Sequence, residues 1–325
     1  MTNKLRKHEI EAAVELYSSD PFMFRPNELY DLTDQARNAL KNHNIYFIGR
    51  RNKMHIKASS VSLDKATDSI NAILVVHLKM EYKEIPIKFI NPLPTPISQL
   101  GTLDYPYDHL RFFLSDGMPI QMRIMDVLKY SEGNFKPYDD ILIEYIGQGF
   151  GNAGSRDAID RLIGDGNQGH ASLQKVLSDI DKNNPDNEAF ILLYSFQFHK
   201  CFVFGGGTQE PTISWEKAPE RLDHFMNLKL LRGKRINLVE AALIRYFSPK
   251  YNDTYKKTFP KSTHLILNDL FDLDVTGLSV SLSTLDHNIN IFSQQVHASQ
   301  MHHMKYPITS DEHRASFFDL SSPYS

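Results

Sequence analysis

The chain has 325 residues, a formal net charge of −3 and one cysteine, Cys201. That length accommodates more than one domain and a sizeable core, while the mildly acidic balance excludes a globally basic nucleic-acid binder and leaves that role to a local patch. A single cysteine excludes an intramolecular disulfide framework and a cysteine-rich zinc site, and fits a reducing, cytoplasmic setting.

The N-terminal MTNKLRKHEIEAAVELY lacks the apolar stretch of a signal peptide, and no run of ~18 apolar residues predicts a membrane span. Residues 7–17 read as a short amphipathic helix. Residues 26–42 read as a second, with Leu29, Leu32, Ala36 and Leu40 at helical spacing. Strand-like runs follow at 45–48, 54–58, 70–82 and 85–90. The proline-rich 91–108 reads as a connector, because proline interrupts both helix and sheet. Further on, 139–146 predicts a strand, 156–163 and 170–181 helices, and 189–204 one long strand or a hairpin. Residues 236–247 predict a helix stopped by Pro249. The pattern returns to β at 262–267, 277–284 and 289–296, and the tail from His302 onward is polar and irregular. Three segments are expected: 1–108 as an N-terminal α+β domain, 109–260 as a central module and 261–325 as a β-rich extension.

Two stretches carry chemistry. ILIEYIGQGFGNAGSRDAIDRL, from Ile141, is an apolar strand running into a glycine-rich turn and a helix with two arginines. NLVEAALIRYFSPKYN, from Asn237, is a helix with one acid, Glu240, between Ile244 and Phe247 on an apolar face. A carboxylate there is costly to bury without an arginine or a metal ion as partner. Asn237 and Glu240 also have capping-box spacing, and a cap and a metal ligand can coexist.

Tyr145-Ile146-Gly147 at a strand end, an arginine on the next helix, a histidine, an acidic helix and a Pro-x-x-Asn stop, in that order, resemble the GIY-YIG nuclease family over about residues 138–257. The resemblance implies an α+β fold: a small antiparallel sheet flanked by helices, here with β-rich N- and C-terminal extensions. It makes Tyr145, Arg161 (with Arg156 as the alternative), His170, Glu240 and Asn252 the catalytic set, and gives Glu240 one Mg²⁺ or Mn²⁺. In that scheme Arg161 offsets charge on the phosphoryl oxygens, Tyr145 acts on the attacking water as base or orienter, His170 relays a proton or donates to phosphate, and Asn252 fixes geometry. No Gly-Ile-Tyr lies some ten residues before Tyr145, so the first strand either lies further back, near 110–114, or has lost its tyrosine.

The activity so implied is metal-dependent hydrolysis of phosphodiesters, DNA first, with an inactive nucleic-acid or protein binding module of the same fold as the alternative. A protein partner or a second copy stays open, and no membrane is expected. Candidate nucleic-acid contacts are Gly147, Gln148 and a basic stretch containing Lys234, Arg235, Arg245 and Lys250. Gly149-Phe-Gly-Asn-Ala-Gly154 matches a dinucleotide-binding fingerprint, but the helix pattern that follows, where a second strand is needed, argues against that fold. His297, His302, His303 and His313 match no zinc spacing and read as surface or loop residues.

Overall fold

The structure is a computed structural model that describes residues 4–101, 103–151, 154, 156–164, 171–204, 210–213, 216, 218–261, 264–309 and 313–320. The chain lays down β1 (Ile10–Phe24), passes through α1 (Asp34–Leu40) and returns as β2 (Ile45–Asn52). An excursion follows, with β3 (Met54–Ile56), β4 (Ser62–Asp64), β5 (Ser69–Leu78), β6 (Glu81–Ile90), β7 (Ile97–Leu100), β8 (His109–Leu114), β9 (Pro119–Arg123), α2 (Ile124–Lys129), β10 (Ser131–Glu132) and α3 (Lys136–Asp139). The chain then rejoins β2 as β11 (Ile141–Gln148), and continues through α4 (Ala158–Ile163), α5 (Ala171–Asn183), β12 (Asn187–Phe204), α6 (Ala218–Asn227) and α7 (Arg232–Phe247). It closes with α8 (Asn268–Asp272), β13 (Gly277–Ser283), β14 (Ile291–Phe292), β15 (Met301–Pro307) and α9 (Phe317–Leu320).

A seven-stranded mixed sheet, ordered β14-β11-β2-β12-β1-β13-β15, forms the body. Its β1–β13 and β11–β14 pairs are parallel and the others antiparallel. The small sheet flanked by helices is therefore corrected to a large curled one. Helix α7 supplies the reason. Ile236, Leu238, Val239, Ala241, Ala242, Leu243, Ile244 and Phe247 are all buried, so the helix is apolar nearly all round. A small sheet covers one side of such a helix. The curled sheet surrounds it with Val14, Leu16, Phe47, Leu192 and Val280, among others. The sheet's other face packs Tyr46, Ile48, Ile191 and Leu193 against α4 and α5.

Several local expectations change for similar reasons. The helix expected at 7–17 is strand β1. Its Ala12, Val14 and Leu16 fit period two as well as its apolar residues fit a helical face, and hydrogen bonding to strands on both sides decides the outcome. The β1–β12 register shifts at Ser19/Phe22, where Pro21 lacks an N–H to donate. The connector at 91–108 contains β7, and the irregular tail contains β15, whose residues alternate between exposed and buried. His302 on that strand is buried rather than superficial, with Nε2 against the Ser299 and Ile291 carbonyls. Residues 265–267 form a 3-10 turn instead of a strand.

The excursion has cores of its own, one from Met54 to Phe135 and one from Ile70 to Val127. Its neck is held by Arg51, which is fully buried at its side chain and pairs with Asp139 and, at 3.2 Å, with Glu188. The seven-stranded sheet draws strands from all three expected segments.

A candidate active site at the edge of the sheet

Tyr145, Gly147 and Gln148 end β11, whose pairing with β14 is confined to Ile141 and Leu142. The far end of β11 is thus a sheet edge, and Asn252 covers it. Its Oδ1 accepts from the Ile146 N–H at 2.9 Å and its Nδ2 donates to the Ile146 carbonyl at 2.7 Å. This buried amide takes the place of a neighbouring strand, and it holds the residue between Tyr145 and Gly147. Asn252 is delivered by the turn after α7, where Ser248 adopts the left-handed conformation.

On the other side of β11 lies β2, and Gly147 stands opposite Tyr46. A Cβ on Gly147 would come within 2.4 Å of the Tyr46 hydroxyl and 2.8 Å of the Tyr145 ring. Glycine is required there because two phenols occupy the space. Tyr46 and Tyr145 have ring centroids 6.1 Å apart and hydrogen-bond to each other, and Ser172 bonds Tyr145. The antiparallel partner of β11 is 45–52, while 110–114 belongs to a separate three-stranded sheet. Tyr46 is the site residue the sequence reading missed, although Asn44-Ile45-Tyr46 was its signal.

Arg161 comes from α4, a helix started by a reciprocal capping box between Asp157 and Asp160. Gly149 lets this helix approach, since a Cβ there would meet the Asp157 carbonyl at 2.2 Å. Gly149 thus serves strand–helix packing. The Arg161 side chain makes no hydrogen bond or ion pair with any described residue, and it lines an open depression of about 270 Å³ with Gln148, Phe150, Arg156 and Asn237.

Glu240 lies behind Gln148. Gln148 Nε2 donates to Glu240 Oε2 at 2.8 Å and to Asn237 Oδ1 at 2.7 Å. Asn237 is not a helix cap, because α7 begins at Arg232. Although Glu240 keeps some open surface, burial pushes its carboxyl up to about 7, against the opposing pull of the Gln148 bond and Arg161. Burial also raises both phenols, Tyr46 the further, so neither is a base at neutral pH without added positive charge.

The structure thus brings Tyr145, Arg156, Arg161, Gln148 and Glu240 around one edge, with Asn252 holding that edge in place. His170 lies outside the described residues. Of the candidate nucleic-acid contacts, Gly147 and Gln148 lie at this edge and the four basic residues are dispersed. Lys234 pairs with Asp269 at 2.6 Å, Arg245 donates to the Lys256 carbonyl, and Lys250 bonds the Tyr251 hydroxyl, while Arg235 enters a separate cavity. Among the described residues no group of three or more His, Cys, Asp or Glu side chains is placed to hold a metal ion. No protein-family model, curated protein or solved structure matches the chain. No described helix is long and apolar enough to cross a membrane.

Proposed function

We propose that this edge hydrolyses phosphodiester bonds, in DNA first, with one Mg²⁺ or Mn²⁺, as the resemblance to GIY-YIG nucleases implies. The observation that carries the reading is the meeting of two hydrogen-bonded tyrosines, an arginine and a carboxylate from four different elements, neither of the last two in an ion pair among the described residues. The donor set suits a hard cation. The Glu240 carboxylate and the Asn237 amide oxygen converge on one positively polarised group, the Gln148 amide, and carboxylate and amide oxygens are its preferred ligands. A bound cation would supply Lewis-acid polarisation of the phosphoryl oxygen and an activated water.

The chain's own groups do the rest. Arg161, permanently charged and forked, offsets charge on the non-bridging oxygens of a phosphate in the depression. Tyr145 accepts from its neighbours and turns its own hydroxyl toward the attacking water, which it orients. Asn252 keeps Tyr145 and Gly147 in register, and Gly147 leaves room for Tyr46 behind them.

A second reading, nucleic-acid binding without cleavage, draws on the Gln148 amide, which already meets the carboxylate that a metal would need. Cleavage of plasmid and single-stranded DNA with Mg²⁺ or Mn²⁺ separates the two. Hydrolysis by the wild type, reduced about 10³-fold in Glu240→Gln, supports the nuclease. A folded wild type that binds DNA and cuts nothing with either metal supports the second reading.

A further inference from the structure

Beside the catalytic depression lies a second open cavity, of about 260 Å³, between the approach to β2 (Asn42, Asn44), the middle of β12 (Tyr194–Gln197) and the first turn of α7 (Arg232, Arg235). Its wall contains two guanidinium groups and no carboxylate. Among the described residues Arg232 is satisfied by neutral acceptors alone, Asn44 Oδ1 at 2.7 and 3.2 Å and the Lys41 carbonyl at 3.3 Å. Arg235, half-buried, has no side-chain hydrogen bond or ion pair among the described residues, and its Nε is shut from solvent without an acceptor. Burial and the neighbouring Arg232 both lower its affinity for the proton it carries. Asn42 and Gln197, both exposed, offer amides with no partner among the described residues. Two cations side by side, one with an orphaned buried donor, make an unfavourable arrangement that an anion relieves.

The cavity is joined to the catalytic depression. Asn44, which holds Arg232, also donates to the Gly149 carbonyl at 2.5 Å, and Arg232 lies 5.9 Å from the centroid of the Phe150 ring. Gly149 and Phe150 both line the catalytic depression. The Phe150 ring thus lines one cationic hollow and lies beside an arginine of the other.

We propose that the cavity walled by Arg232, Arg235, Asn42 and Gln197 is a second phosphate subsite, which takes a backbone phosphate neighbouring the one that meets Arg161. This rests on the nucleic-acid reading of the edge site. Its chemistry is that of a phosphate oxyanion, which a strand or free phosphate could supply, and the test separates these sources.

The measurement is binding of a labelled short single-stranded DNA across a salt series, with Glu240→Gln as parent so that the probe stays intact. Adding Arg235→Gln should weaken binding about tenfold and lower the slope of log affinity against log salt by about 0.7. Arg235→Lys should restore the slope, which a merely misfolded site would not permit. Unchanged affinity and slope in folded Arg235→Gln overturns the subsite. So does an Arg235-dependent rise in Tm with inorganic phosphate while DNA binding ignores the substitution, because the cavity then serves free phosphate. The outcomes remain distinct from those of the hydrolysis reading. Arg235-dependent DNA binding by a wild type that cuts nothing leaves the subsite standing and removes the nuclease. Cleavage combined with Arg235-independent binding does the reverse.

Discussion

Two groups of charged side chains sit at the margins of the same sheet and are built on opposite rules. Where β1 meets β13, Glu11 is fully buried, yet it has Arg314 at 3.2 Å and Arg221 at 4.0 Å and accepts the His8 N–H at 3.0 Å. Asp274 beside it takes Lys7 at 2.7 Å, a second contact from Arg314, and a 2.6 Å bond from His8. Burial holds His8 down to about 4, so that bond comes from a neutral imidazole at physiological pH rather than from an ion pair. At the free end of β11 the opposite holds. Glu240 is met by the Gln148 amide, while Arg161 and Arg235 have no acid within ion-pair distance among the described residues. The first group closes the fold upon itself. The second leaves charges unanswered, which costs stability and is sustained where a ligand completes the set.

Substitutions can break that contrast. The largest effect on folding is expected at the closed group. Glu11→Gln removes the fully buried carboxylate that Arg314 and Arg221 share, leaves Arg314 only Asp274 as an acidic partner, and should lower stability by about 3–5 kcal/mol in urea denaturation, with any cleavage per folded molecule unchanged. A loss below ~1 kcal/mol would mean that these charges are solvated and that the contrast is mistaken.

Glu240→Gln should act in the opposite direction. The folded carboxyl titrates at about 7 and the unfolded one at 4.5. Between these values the native state keeps a proton that the unfolded state has lost. Wild-type stability therefore falls as pH rises through this window, by roughly 3 kcal/mol in all. The glutamine variant should be flatter and more stable at pH ~8. Mg²⁺ or Mn²⁺ should raise the wild-type Tm at that pH and leave the variant's in place. Parallel pH profiles for the two proteins would show that the carboxylate is hydrated like any surface acid.

The smallest of these changes tests packing in the open group. Gly147→Ala forces a methyl against the Tyr46 hydroxyl and the Tyr145 ring, for an expected ~1–3 kcal/mol. It should also reduce cleavage well beyond the loss of folded protein, because both phenols move. Retained activity would detach the tyrosine pair from the chemistry.

How much of this was legible in the sequence follows from the range of each signal. Tyr145, Arg161 and Glu240 stood out because each lies on an element with a strong local pattern: an apolar strand with a glycine stop, a capped helix, and an apolar helix with one acid. Tyr46 did not. The run 45–48 reads as a strand, but nothing local states that it pairs with 141–148 across the whole excursion. The same limit misplaced the fold. Curling is set by how many strands α7 needs around it, a property of the assembled sheet, and period counting turned β1 into a helix because both periods fit its residues. Arg235 belonged to a basic stretch in the sequence. Only the packing separates it from Lys234, which Asp269 neutralises.

The excursion between β2 and β11 leaves and re-enters the sheet at neighbouring points, with Arg50 opposite Leu142, and brings its own cores with it. In evolutionary terms it is a cassette. Selection can lengthen, trade or redecorate such a segment while the two tyrosines, fixed by pairing that lies beyond its neck, keep their positions. Change in the excursion and constancy at the sheet edge can then accumulate on separate stretches of one gene.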